Sequence, residues 1–153
     1  MYVVRIEIAF DAGHRLLGYR GKCAFPHGHS YRAEVLVTKQ ELDELGLAVD
    51  FTNLKAGLKS WIDEHWDHGF LANDRDEVLV RGLRELPECK LYLFKGTNPT
   101  AEVIARELFC EARHQFGAIV RSVRIWESLN QYAEFVAPDM PAPPQPEHEG
   151  AQT

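Results

Sequence analysis

From Tyr2 to Phe10 the side chains of Tyr2, Val4, Ile6, Ile8 and Phe10 are apolar at every second position, the period of a strand with one buried face. A second period-two run sets Tyr31, Ala33, Val35 and Val37 on one side and Arg32 and Glu34 on the other. With a loop carrying Gly18 and Gly21 between them, the two runs read as antiparallel neighbours. The period then changes. Phe51, Leu54, Leu58 and Trp61 recur at i, i+3, i+7 and i+10, the stripe of an amphipathic helix over about residues 50–64. Leu91 to Phe94 predicts a short strand. Thr100, after Pro99, can cap a second helix that buries Ile104, Leu108 and Ala112 and ends near Gly117. Strands over 119–127 and 132–136, joined by a turn at 128–131, complete the order ββαβαββ, an α+β domain.

A chain of 153 residues fits one domain, which at this size buries roughly 70% of its unfolded surface. Hydrophobic residues at 45% and charged residues at 26% exclude general disorder and fibrous architectures. A net charge of −6 argues against nucleic acid as a partner, because phosphate backbones are held by an excess of Lys and Arg. No apolar run approaches the roughly 20 residues of a membrane span, and the start of the chain alternates instead of forming a signal-peptide core. The three cysteines, Cys23, Cys89 and Cys110, are too few and too scattered for a disulfide framework, which suits a reducing compartment. These features predict a cytoplasmic protein without a membrane partner. Residues 1–136 carry the fold pattern. Residues 137–153 hold five of the eight prolines and almost nothing apolar, which predicts a mobile tail.

The candidate chemistry lies at the start of the second strand. His27 and His29 are two apart, so in extended backbone both imidazoles point to one side and can converge on one ion. His14, at the end of the neighbouring strand, can add a third neutral nitrogen and leave a fourth position open, as in catalytic zinc sites. A His-x-His pair alone is also compatible with ordinary surface or core histidines. Cys23, four residues before His27, is a base if its thiolate is favoured and a buried thiol otherwise.

Around these residues the segments FDAGHRL and GKCAFPHGHSY resemble the metal and nucleophile region of the 6-pyruvoyl and 6-carboxy tetrahydropterin synthase family. VDFTNLK, DHGFLAND, NPTAEVIA and VRIWES resemble the same family in order and approximate spacing. The resemblance covers residues 1 to 136. It implies that His14, His27 and His29 bind Zn2+, that Cys23 removes a proton from the substrate side chain, and that Asp67 and His68 are its relay partners. It also implies that Glu127 anchors the pterin ring, with Thr100 and Glu102 near that pocket. Ser30 departs from the family, where Asn is common after HGH, and so does Ser128, where Thr is frequent.

Several of these roles also have physical reasons. A carboxylate can accept a ring N–H and an exocyclic amino group of a pterin side by side, and Glu127 shares strand parity with Ile119, Val123 and Ile125, where an apolar residue is expected. The alternative is a solvent-facing strand end. Asp67 can orient an imidazole, or else Asp67 and His68 form a solvated loop after the helix. Arg15, Arg20 and Lys22 flank the metal position and form either a local anion site for a triphosphate or a solvated face. His65, His114 and His148 match nothing and are expected in solvent, and Cys89 and Cys110 are expected to be packing thiols.

For the fold, the resemblance implies a four-stranded antiparallel sheet with two helices on one face, the tunnelling fold, whose subunits join into barrels. That predicts a trimer-based homo-oligomer, a hexamer, with sites between chains. For the reaction it implies a zinc-dependent lyase acting on 7,8-dihydroneopterin triphosphate. The short Cys23 to His27 spacing favours the 6-carboxy branch, which releases acetaldehyde and triphosphate on the way to queuosine-type deazapurines. A 6-pyruvoyl synthase, a three-His zinc hydratase or hydrolase, and a non-catalytic pterin- or metal-binding module remain alternatives.

Overall fold

Alternation carries the first strand beyond Phe10. In the computed structural model, which describes residues 1–138, strand β1 runs from Tyr2 to His14 with Ile6, Ile8, Phe10, Ala12 and His14 buried and the intervening positions turned outward. Strand β2 (His27–Lys39) pairs with it antiparallel, Ile8 opposite Ala33 and His14 opposite His27. Helix α1 (Phe51–His65) starts where Asp50 accepts hydrogen bonds from the Thr52 and Asn53 amides, and it buries Leu54, Leu58 and Ile62. Phe51, expected on that buried stripe, is instead 55% exposed, because it occupies the first turn, beyond the reach of the core.

The remaining elements are β3 (Gly69–Asn73), α2 (Glu77–Arg84), β4 (Leu91–Phe94), α3 (Ala101–Phe116), β5 (Val120–Trp126) and β6 (Tyr132–Val136). Thr100 caps α3 and Gly117, with φ of 73°, ends it. That is a backbone conformation in which an L side chain is strained and glycine is not. Helix α3 buries Ile104, Ala105, Leu108, Phe109 and Ala112, and α1 and α3 close one core with the inward faces of β1, β2 and β5. Each fully buried Leu, Ile or Val contributes roughly 1.5–3 kcal/mol through the hydrophobic effect.

The sheet corrects the expected four antiparallel strands. Its order is β4-β3-β1-β2-β5-β6, and β3 and β4 run parallel to β1 at one edge of an antiparallel β1-β2-β5-β6 segment. Neither β3 nor α2 was legible by period. Strand β3 has five residues with Leu71, Ala72 and Asn73 consecutively buried, the continuous burial of an inner parallel strand that leaves no alternation. Helix α2 has eight residues and buries only Val80, too little for a stripe.

A bulge sits between β2 and β5. Leu36 lies opposite Ser122 and Val37 opposite Val120, leaving Arg121 as the extra residue. Both Val120 and Val123 therefore face the core, and the parity counted from Ile119 does not hold, whereas Glu127 continues the parity of Val123 and Ile125. Ala137 is buried, and its amide donates to the Arg121 carbonyl at 2.9 Å. The rest of the expected tail, from residue 139, lies outside the described residues, as does His148.

Candidate active site

The β1–β2 register brings three imidazoles together. His14 stands opposite His27 and Ala12 opposite His29, and the three rings lie on the core side of one sheet end, with centroids 4.6, 4.9 and 5.1 Å apart. His14 Nδ1 donates to the Pro99 carbonyl at 2.8 Å and His27 Nδ1 to the Phe25 carbonyl at 2.7 Å. A carbonyl only accepts, so both protons sit on Nδ1 and both Nε2 lone pairs are free. Those two Nε2 atoms are 3.1 Å apart, and His29 Nε2 is buried without a hydrogen-bond partner. Facing lone pairs repel unless positive charge lies between them. The trio, whose ligand atoms all lie within 4.8 Å of one another, could hold a metal ion, and three neutral nitrogens suit zinc.

Burial drives the His14 pKa down from 6.5 to about 4; the Pro99 carbonyl opposes this, and the charges of His27 and His29 add to it. The unfolded chain therefore binds this proton more readily than the folded one. In the metal-free protein, the stability associated with neutral His14 is fully present above pH 6.5 and is lost as pH falls toward 4. Denaturant midpoints measured across that window should fall more steeply than those of His14→Gln; parallel slopes would show that the ring makes no such contribution.

Cys23 occupies a single 3-10 turn, Lys22–Ala24, half-buried, with its carbonyl accepting from the Leu16 amide at 2.8 Å. Asn98 pins this loop through both atoms of its amide: Leu17 N–H donates to its Oδ1 at 2.9 Å and its Nδ2 donates to the Leu17 carbonyl at 3.0 Å. Glu127, just past β5, is half-buried, and its carboxyl is pushed above the ordinary value by burial; His29 and His27 oppose this and Glu102 reinforces it. Between them lies Tyr31, fully buried, its hydroxyl without a partner and its pKa raised by burial and by the charges of Glu127 and Cys23. Cys23, Glu127 and the histidines thus belong to one neighbourhood on the helix side of the sheet.

The other candidates are placed differently. Thr100 spends its hydroxyl on the Val103 amide at 3.4 Å as the cap of α3, while Glu102 is exposed in the first turn and acts on Glu127 through its charge. Arg15 makes a bidentate pair with Asp76, both contacts 2.5 Å; Arg20 and Lys22 are exposed. Of the histidines outside the site, His114 is exposed, whereas His65 is half-buried and stacks on Trp61. Cys89 is half-buried, but Cys110 is exposed on α3 and does not pack in the core.

Sequence reasoning missed the supporting residues Asp76, Asn98 and Pro99, and Asn73, whose Nδ2 donates to Asn98 Oδ1 at 3.2 Å. Asp76 is buried, caps α2 through the Leu79 amide, and holds the residue next to His14. The Arg15 guanidinium keeps its carboxyl below the ordinary carboxylate range, with burial opposing, so its stabilisation is lost as pH falls through that lowered value. Asp76→Ala should cost about 3 kcal/mol in urea unfolding, since it strands a guanidinium and removes a cap; a loss under ~1 kcal/mol would make the pair a solvated contact.

Asp67 and His68 pair with each other but not with the histidine trio. Asp67 Oδ2 lies 2.9 Å from His68 Nδ1, its Oδ1 accepts from the Asp11 amide at 2.9 Å, and the His68 amide donates to the Asp11 carbonyl at 2.7 Å. Burial raises the Asp67 pKa, but the Asp11 amide, His68 and Lys59 outweigh it and leave the carboxyl below its ordinary range. The Asp11 side chain and Ser30 are exposed on the outer face of the sheet, joined by a 2.5 Å hydrogen bond. They line a cleft there with Ala12, Gly13, Gly28, His29, His68 and Gly69. The His68 side chain is 78% exposed. Within one chain, the pair is tied to the Asp11 backbone, while the rings of the trio converge on one another on the core side.

The chain matches the family model of 6-pyruvoyl tetrahydropterin synthase over residues 3–138. It belongs to that family. Among curated relatives, the 6-carboxy-5,6,7,8-tetrahydropterin synthase of Rickettsia bellii is 35% identical over 132 residues, covering 84% of this chain and 95% of the relative. That of Haemophilus influenzae is 31% identical, covering 88% and 99%. Among solved structures, an uncharacterised protein from Wolinella succinogenes superposes with a TM-score of 0.71 at 23% identity, covering 88% of this chain and 97% of that one. The 6-pyruvoyl tetrahydropterin synthase of Caenorhabditis elegans superposes with a TM-score of 0.62 at 22% identity, covering 90% and 97%. The fold of this family is therefore the fold of the chain, which here has six strands and three α-helices.

Proposed function

We propose that this protein is a zinc-dependent lyase that converts 7,8-dihydroneopterin triphosphate and one water to 6-carboxy-5,6,7,8-tetrahydropterin, acetaldehyde and triphosphate, in queuosine-type deazapurine synthesis. The convergence of three buried or half-buried imidazole nitrogens beside Cys23 and Glu127 carries this reading. The curated relatives bearing the 6-carboxy name favour that branch over the 6-pyruvoyl one. Three free cysteines suit a cytoplasmic setting.

His14, His27 and His29 would hold the metal, which when bound supplies Lewis acidity to the hydroxyls of the substrate side chain. Glu127 takes the pterin ring N–H and exocyclic amino group, and its half-buried position strengthens both hydrogen bonds. Cys23 as thiolate removes the proton next to the ring. Asp67 orients the His68 imidazole and stabilises its charged form as that proton moves on. Thr100 and Glu102 border the ring pocket at the start of α3. Arg15, although paired with Asp76, adds positive charge near the triphosphate, with Arg20 and Lys22 beside it.

The hydrogen bonds of Asp67 and His68 run to Asp11 and to each other rather than to Cys23 or the histidine trio, so we read their cooperation with Cys23 as one between two chains. Edge strands β4 and β6 have no partner among the described residues on their outer sides and could close subunits into a barrel. We therefore propose a trimer-based homo-oligomer, a hexamer, with shared sites. Sedimentation should give that mass, and a clean monomer with full activity would refute site sharing. Incubating the zinc-loaded protein with dihydroneopterin triphosphate and identifying products by mass should yield the 6-carboxy product and acetaldehyde. A 6-pyruvoyl product would assign the other branch, and no product would sink the lyase reading.

A further inference from the structure

His68 has a φ of 56°, a left-handed conformation that a side chain with a β-carbon adopts only where its surroundings hold it. The Asp11 carbonyl accepts from its amide at 2.7 Å, and the next amide, Gly69, donates to the Trp66 carbonyl at 2.9 Å. A third restraint comes from outside the turn. Lys90 lies in the connection between α2 and β4, and its ammonium donates to the carbonyls of Asp63, at 2.5 Å, and Asp67, at 2.6 Å.

The first contact caps the C-terminal end of α1. The second lies beyond the helix, on the peptide that leads directly into His68. The lysine stem packs against the turn as well: a Cβ added at Gly69 would come 3.0 Å from Lys90 Cδ. The Phe70 amide donates to the Lys90 carbonyl at 2.8 Å, so main chain and side chain of this one residue grip both ends of the turn.

We propose that Lys90 is a positioning residue for the Asp67–His68 pair: by binding the Asp67 carbonyl it holds His68 left-handed and presents the imidazole to the outer-face cleft. The link to turnover rests on the reading that this pair relays the proton from Cys23. A charge-assisted hydrogen bond is among the stronger local restraints, and a relay imidazole displaced from its partner loses rate without losing substrate affinity.

The test compares Lys90→Met and Lys90→Arg in the full-length, zinc-loaded protein. In Lys90→Met, hydrogen exchange at the His68 and Gly69 amides should quicken by about tenfold, with exchange inside α1 and over Leu71 to Asn73 unchanged. The kcat should fall about tenfold with KM for dihydroneopterin triphosphate within about twofold, and Lys90→Arg should restore most of both. Unchanged exchange at these amides overturns the proposal whatever the activity does. Exchange that quickens throughout α1 also overturns it, leaving Lys90 as a helix cap. Local quickening with unaltered kcat refutes the positioning role. If the wild-type protein makes no product, the relay reading fails on its own, and the exchange data still decide whether Lys90 holds the turn.

Discussion

Replacing His27 by alanine should remove stoichiometric zinc and turnover together, while leaving the fold in place. Of the three imidazoles His14 is buried at 1% exposure, and its loss would also open a cavity and strand the Pro99 carbonyl. His27 is half-buried at the strand start, and its Nδ1 donates to the exposed loop carbonyl of Phe25, so its removal isolates the ligand function. Changing even an outer partner of a metal ligand costs about 10- to 100-fold in affinity, and losing one of three ligands should cost more. Zinc content after dialysis, read with the circular dichroism spectrum, checks this. Retention of one zinc per chain in a folded His27→Ala protein would break the three-imidazole centre.

Cys23→Ala should lower kcat by about 10²- to 10⁴-fold, the usual contribution of a positioned proton-transfer group, with zinc content and pterin binding unchanged. The thiol is half-buried in a loop clamped by Asn98, so truncation to alanine removes the sulfur and little packing. The same variant separates reaction classes. A three-His zinc hydratase or hydrolase would use water as nucleophile and has no need of this sulfur, and a pterin- or metal-binding module would show no turnover in either form. Rates on dihydroneopterin triphosphate for the two proteins decide the matter: equal rates would remove Cys23 from the mechanism.

The outer-face location of Asp67 and His68 explains why adjacency in sequence was a poor guide to their setting. The two side chains do contact each other, yet through Asp11 they are tied to the exposed side of β1. Alternation along β1 sorts Asp11 and His14 onto opposite faces, because three steps along a strand reverse direction.

Period-two alternation in β1 and β2 was enough to determine that His14, His27 and His29 share a face, since parity along paired strands dictates side-chain direction whatever the rest of the chain does. The 3.6-residue stripes, with the cap at Thr100 and the stop at Gly117, likewise determined α1 and α3, as local hydrogen bonding and one-sided burial leave few alternatives. Tertiary structure alone decided strand β3 and the parallel pairing of β3 and β4, the bulge at Arg121, the clamps from Asn98, Asp76 and Lys90, and the attachment of Asp67 and His68 to the outer side of β1. Those features depend on contacts between residues tens of positions apart, where short segments such as Gly69–Asn73 take their conformation from neighbours and carry no period of their own.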